Sequence, residues 1–251
     1  MVRGGMRAAV ACAAAVLVLA GCGERPDRST GSQQGSDKPY ASAGQVPEKL
    51  GGDGTTIQVG DPGAPTVVRV YEDPRCPGCR EFEVAGGGPA LSEAVLERRV
   101  RAEYVFASFL DDSHGGDGSK KAVNALRAAL DESRFMEYHA VLYAEQPEEG
   151  AEEYTDARLL ELAEKVPGLR GPAFDAAVTS MKHRSFVTAS ERAYERAGGA
   201  HEPNGPGTPT AFIDDKRVSE TLRGVLYDEE AFGELLRQIG RDPEGWQDSA
   251  L

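Results

Sequence analysis

The first clear pattern in the chain is a β-branched and aromatic run at 66–71, Thr-Val-Val-Arg-Val-Tyr, which predicts a strand. The turn sequence Asp61-Pro62-Gly63-Ala64-Pro65 precedes it, and before that a shorter strand is expected around Ile57 and Val59. A helix is expected directly from Cys76, with Pro77 at the first helical position, where its missing N–H costs nothing. Ala85-Gly86-Gly87-Gly88-Pro89 interrupts that helix, which resumes from Pro89 to about 98. The stretch 99–109 reads as a second strand, with Val100, Ala102, Tyr104 and Phe106 on one face.

The following ninety or so residues show only helical periodicity. Ala122, Ala125, Leu126 and Ala129 share one stripe, as do Phe135, Tyr138, His139 and Leu142, and again Leu159, Leu162, Ala163 and Val166. Further helices are expected at about 172–182 and 185–197, giving a unit of four or five segments. Strand character returns at 210–213, followed by a turn at Asp214-Asp215-Lys216 and a short strand near Val218. Asp228 reads as the N-cap of a last helix with Phe232, Leu235, Leu236 and Ile239 on its apolar stripe. The order is β-β-α-β, an all-helical insertion, then β-β-α, with no internal repeat.

The N-terminus has a different character. Arg3 and Arg7 precede an apolar run at 8–20, shorter than the roughly 20 residues that span a bilayer, so it reads as a secretory signal. It closes on Leu19-Ala20-Gly21-Cys22, which resembles the lipobox of bacterial lipoproteins. That resemblance implies cleavage before Cys22, lipid on its sulfur, and an anchor at the extracytoplasmic face of the cell membrane; a plain signal peptide is the alternative. Residues 22–54, rich in Gly, Ser, Asp, Pro, Gln and Lys, bury too little to offset the entropy of folding and read as a flexible tether.

Composition narrows the function classes. The 251 residues are 40% apolar and 27% charged, and 28 basic against 41 acidic side chains give a formal charge of −13. Such a surface repels phosphate backbones, so a nucleic-acid partner is not expected. Cys12 is lost with the signal segment and Cys22 carries the expected lipid, which leaves Cys76 and Cys79.

Cys76-Pro77-Gly78-Cys79 lies where a strand gives way to a helix. Cysteines at i and i+3 face the same way and can close a small disulfide ring. The first thiol sits among the unpaired N–H groups of the helix start, so Cys76 is expected to have a depressed pKa, aided by Arg75, and to act as the nucleophile. Cys79, deeper in the helix, would be the resolving thiol. Two inert readings stand beside this one, a structural zinc site and a static disulfide. Zinc normally takes four ligands, and the chain offers no second cysteine pair and no close histidine pair, so no metal is assigned.

The motif after a strand, the helical insertion, and Gly207-Thr208-Pro209-Thr210 entering a later strand together resemble the DsbA-like thiol-disulfide oxidoreductases of the thioredoxin superfamily, over about 53–242. The resemblance implies an α/β thioredoxin fold (55–110 and 200–246) with an inserted all-helical domain (111–199). It also implies a cis Pro209 beside the cysteines, with Thr208 and Pro209 as the substrate-facing wall, and no cofactor. The partners implied are exported proteins with free thiols or disulfides and a membrane redox partner. The family strand usually carries an acid six residues before the first cysteine, but position 70 is Val; Asp73 and Glu72 are the nearby acids. Oxidation of substrate dithiols is the expected direction. Reduction or isomerisation by the same residues, and a non-catalytic peptide-binding lipoprotein on the same fold, are the alternatives. A monomer is expected.

Other candidates have simpler readings. His139 reads as a core or groove histidine, and His114, His183 and His201 as surface residues. Glu148-Glu149 and Glu152-Glu153 read as a solvated acidic patch, and Gly86-Gly87-Gly88 lacks the Gly-Lys-Ser/Thr of a phosphate loop.

Overall fold

The computed structural model describes residues 38–147, 154–243 and 245–246. The signal segment, Cys12, Cys22, the tether up to residue 37 and the glutamates at 148, 149, 152 and 153 lie outside the described residues. Among those described, no helix is long and apolar enough to cross a membrane.

Six strands form one mixed sheet: β1 (Glu48–Leu50), β2 (Ile57–Val59), β3 (Thr66–Glu72), β4 (Val100–Phe106), β5 (Thr210–Ile213) and β6 (Lys216–Arg217), in the order β1-β2-β4-β3-β5-β6. Only β3 and β4 are parallel, and they form the sheet's centre, with Val68 opposite Ala102 and Glu72 opposite Phe106. A parallel pair needs a crossover. It is supplied by α1 (Pro77–Ala85) and α2 (Gly87–Leu96). The break between them falls at Gly86, within the predicted Gly-rich interruption. A Cβ at Gly87 would sit 2.7 Å from the Phe232 ring, so glycine there lets the chain pass close to the last helix.

The insertion contains α3 (Leu110–His114), α4 (Gly118–Asp131), α5 (Phe135–Ala144), α6 (Asp156–Ala163), α7 (Pro172–Thr179) and α8 (Arg184–Ala197), more segments than the periodicity predicts because α3 is too short to show a stripe. The last helix among the described residues is α9 (Glu229–Arg241), where the Asp228 carboxylate accepts from the Ala231 N–H as the cap expected from sequence. Phe232, Leu235, Leu236 and Ile239 are all buried on its inner stripe. A 3-10 helix at Glu220–Tyr227, which no periodicity announces, connects β6 to α9.

The tether ends earlier than composition suggests. Residues 43–45 form a 3-10 turn, Val46 is buried, and β1 pairs with β2, Glu48 lying opposite Val59. The Glu48 carboxylate accepts from the backbone N–H of Phe135 (2.9 Å) and Met136 (2.6 Å), capping the start of α5. These polar residues stay ordered by hydrogen bonding, a gain that composition does not register.

Alternation along β3 and β4 sorts two apolar groups onto opposite faces. Val68, Val70, Tyr104 and Phe106 belong to the main core shared with the helices. Tyr71 and Val105 join Ala107 and Tyr194 in a smaller cluster under α8. Glu72 follows Val68 and Val70 in the same alternation, so an acid is driven into the core face at the end of the strand.

Candidate active site

Cys76 is the N-cap of α1, with Pro77 next, and it retains 9% exposure while Cys79 has none. Both are free thiols. The Cys76 pKa is lowered from 9.0 to about 6, first by the Cys79 thiol hydrogen-bonding to its sulfur, against the cost of burial. A side-chain hydrogen bond from Thr208 and the backbone N–H groups of Cys79 and Gly78 complete the set. These are the helix-start donors that the sequence implies. Arg75 is not among these leading contributors; its guanidinium pairs with Asp111 at 3.1 Å and with the Gly115 carbonyl at 2.9 Å. Cys79 moves the other way, its thiol pushed well above 9.0 by burial first, then by the neighbouring Cys76 and Glu72.

The Thr208–Pro209 peptide bond is cis, and in its thiol form Cys76 donates to the Thr208 carbonyl at 3.4 Å. Thr208 and Pro209 therefore lie beside the cysteine pair. A Cβ at Gly78 would stand 3.2 Å from Pro209 Cδ and 3.4 Å from the Tyr227 hydroxyl, so glycine lets the helix start approach this wall. Tyr227, at the end of the 3-10 helix, has no motif that could have announced it.

Beneath the thiols lies a group of ionisable side chains that sequence reading did not assemble. Glu72 and His139 are joined, Oε2 to Nε2, at 2.9 Å, and Glu83 Oε2 lies 3.7 Å from His139 Nδ1. Rings of Tyr104, Phe106, Phe135 and Tyr143 surround the imidazole, with centroids 4.6 to 6.0 Å away. Burial lowers the His139 pKa, so the ring is neutral at pH 7. Burial also raises Glu72 to about 8 and pushes Glu83 well above its ordinary value. The acid absent at position 70 thus reappears one pleat along the same face of β3, two residues nearer the cysteines. His139 is buried on its helix stripe, as a core histidine would be, but its partners are two acids. His183, expected at the surface, is half-buried, with its Nε2 3.2 Å from Asp131.

Asp73, the other nearby acid, is occupied. It accepts from Ser119 Oγ (2.6 Å), the Arg75 N–H (2.9 Å) and the Leu110 N–H (3.1 Å), although burial still raises its pKa to about 7. Asp111 in turn accepts from the N–H groups of Ser119 and Lys120 at the start of α4. Just past α5, Gln146 donates to the carbonyls of Pro74 (2.8 Å) and Cys76 (3.0 Å), fixing the loop that delivers the nucleophile. The insertion therefore holds the cysteine loop from two sides.

One potential metal-donor group of His, Cys, Asp and Glu appears among the described residues, formed by Glu72, Glu83 and His139, whose donor atoms all lie within 4.8 Å of one another. Those positions are distant in sequence, which is why ligand spacing could not reveal them.

Comparison with known proteins agrees with this geometry. The sequence profile of the family described as Thioredoxin matches residues 52–228. Among solved structures, the chain is similar to oxidised BdbD from Bacillus subtilis (TM-score 0.61, 19% identity, covering 81% of this chain and 99% of that one). It is also similar to the reduced disulfide bond oxidoreductase DsbG from Mycobacterium tuberculosis (TM-score 0.57, 27% identity, 83% and 93%). Reduced DsbA from Mycobacterium tuberculosis gives a TM-score of 0.52 at 26% identity, covering 72% and 94%. The curated relatives, named serine/threonine-protein kinase PknE from Mycobacterium tuberculosis and Mycobacterium bovis, are 29% identical over 191 residues. That match takes in 73% of this chain but only 32% of theirs, so the chain spans about a third of their length.

Proposed function

The chain belongs to the thioredoxin family, in its DsbA-like group of thiol-disulfide oxidoreductases, and from that premise we propose that it oxidises the dithiols of exported proteins through Cys76 and Cys79. The observation that carries this reading is the opposed state of the two thiols: Cys76 lowered to about 6 and Cys79 raised well above 9.0. A thiolate stabilised at Cys76 favours the reduced pair, and a pair whose reduced form is stabilised is an oxidant.

The steps follow from the geometry. With the pair in its disulfide form, a substrate thiolate attacks Cys76 Sγ, the Cys76–Cys79 bond breaks, and Cys79 leaves with the electron pair. A thiolate at Cys79 is costly in so buried a place, so it takes a proton. Glu72, neutral at pH 7 and acting electrostatically on Cys79, is the donor this reading assigns. The substrate's second thiolate then attacks the substrate sulfur of the mixed disulfide and expels Cys76 as its stabilised thiolate. The substrate loses two electrons and the protons of its two thiols; the pair gains the two electrons and one proton, at Cys79, while Glu72 recovers its proton from solvent, the other proton is released and Cys76 stays a thiolate. Returning the pair to the disulfide needs a two-electron acceptor, assigned here to a membrane redox partner. Thr208 and Pro209, beside Cys76, form the wall against which the substrate segment lies.

The same reading places the protein at the extracytoplasmic face of the membrane, anchored by lipid on Cys22, acting as a monomer and without a cofactor. The sequence at 19–22 supports the anchor. Two substitutions test the catalytic core. Cys76→Ser should abolish oxidation of a reduced model dithiol substrate, whereas Cys79→Ser should accumulate mixed disulfides visible on non-reducing gels. Full activity in Cys76→Ser would leave a binding protein as the better reading.

A further inference from the structure

The 3-10 helix at Glu220–Tyr227 is pressed onto α1 at two glycines. At Gly86 a Cβ would stand 2.4 Å from the Leu226 carbonyl oxygen and 3.0 Å from the Tyr227 Cα, an approach open only to a residue without one. At Gly78 a Cβ would stand 3.4 Å from the Tyr227 hydroxyl. Along a helix these two positions are about 12 Å apart, at a rise of about 1.5 Å per residue. The Tyr227 side chain therefore runs back along α1, from the Gly-rich break at its end toward the cysteines. The break at Gly86 does more than end a helix: it sets where Tyr227 lies.

The hydroxyl arrives among the reacting groups. The Cβ position at Gly78 that lies 3.4 Å from it also lies 3.2 Å from Pro209 Cδ and 3.8 Å from Cys76 Sγ. The hydroxyl is therefore no farther from the sulfur than two of those distances laid end to end. Arg223, from the same 3-10 helix, hydrogen-bonds to it. A guanidinium can only donate, so the phenol oxygen is the acceptor in that bond and its own proton points elsewhere. The thiolate is not its target. The leading donors to Cys76 are the Cys79 thiol, Thr208 and the backbone N–H groups of Cys79 and Gly78, and Tyr227 is not one of them.

We propose that Tyr227 is a specificity-determining residue: its hydroxyl donates a hydrogen bond to a backbone carbonyl of the substrate segment joined to Cys76, so the site favours polypeptide thiols over small thiols that carry no peptide group. Across a disulfide the two Cα atoms stand roughly 4.4 to 6.8 Å apart, which brings the carbonyls flanking a substrate cysteine into the space that the hydroxyl borders. Thr208 and Pro209 line the same space from the neighbouring loop. Arg223 holds the phenol oxygen so that its proton is presented before substrate arrives, which lowers the cost of ordering the pair on binding. This inference rests on the oxidoreductase reading above but not on its direction, since oxidation and reduction pass through the same mixed disulfide.

The test compares the wild type with Tyr227→Phe, which keeps the ring and removes the donor. The oxidised protein is mixed in quenched flow with dithiothreitol, which has no peptide carbonyl, or with a model peptide carrying two cysteines, and the protein thiols formed are alkylated and counted. Tyr227→Phe should lower the second-order rate constant for the peptide by about three- to tenfold, the range of one net hydrogen bond, chiefly through a higher half-saturating concentration. The dithiothreitol rate should stay within about twofold of the wild type, which also shows that the variant is folded. The proposal is overturned if the peptide rate is unchanged, if both rates fall together, or if the alkylation midpoint of Cys76 moves, since the hydroxyl would then serve the thiolate. A wild type that exchanges with neither dithiol would instead sink the oxidoreductase reading and this inference with it. If only the direction is wrong, reduced protein and the peptide's disulfide give the same contrast in reverse.

Discussion

At the rim of the site Cys76 keeps some exposure and collects donors: the Cys79 thiol, the Thr208 side chain and two backbone N–H groups. One helical turn deeper, Cys79 is fully buried beside Glu72, and the single backbone donor at Asp73 does not offset the burial. The sulfurs are chemically identical and three residues apart, so their opposed behaviour comes from what the fold packs around each. The rim is built from local sequence, a helix start plus a proline turn. The interior is built by convergence, with Glu72 from the sheet, Glu83 from α1, and His139 and Tyr143 from the insertion. The insertion therefore shapes the chemistry of the deeper thiol as well as enclosing it.

The sharpest way to break this contrast is Glu72→Gln, which keeps the shape and removes the transferable proton. Formation of the mixed disulfide, the step in which Cys79 leaves and takes a proton, should slow by about a hundredfold, the scale of a lost general acid. The fall in rate as pH rises through about 8, where Glu72 loses its proton, should disappear with it. Stopped-flow exchange with a model peptide across pH 5 to 9 would show whether both effects occur together. Alkylation of Cys76 should be left with its own titration.

A smaller effect isolates the rim. Alkylation of the reduced protein should rise through a midpoint at about pH 6 and level off above it. Because the folded pKa lies below 9.0, the stabilisation of the reduced fold is complete above pH 9 and is lost as pH falls through 6. At pH 7 the difference between 9.0 and about 6 is worth about 1.4 kcal/mol, or about 30 mV in a two-electron couple. Melting curves of the reduced protein at pH 5 and pH 8 should differ in that direction, apart from the contributions of other groups.

Much of this site is legible in the sequence because its parts are local. Cys76 to Cys79, the helix start at Pro77 and the strand after Pro209 each announce themselves by spacing or turn chemistry. Glu72 is visible only as a neighbour of the motif, and the β3 alternation gives it meaning once Val68 and Val70 are seen to face the core. The pairing of His139 with Glu72 spans 67 positions, and a stripe of apolar residues reveals that a side chain is buried without naming its partner. The segment around β1 is misread for a related reason. Its order comes from strand pairing and from Glu48 capping α5, neither of which leaves a mark in composition. Gln146 and Tyr227 reach the cysteine loop from places that carry no motif.

The oxidising direction is the central claim, and the reduction potential of the Cys76–Cys79 pair, measured by equilibration with glutathione at pH 7, tests it most directly. The account predicts a value above about −200 mV, toward the roughly −120 mV of strongly oxidising DsbA-type pairs. A value near about −270 mV, the range of reducing thioredoxins, would contradict it.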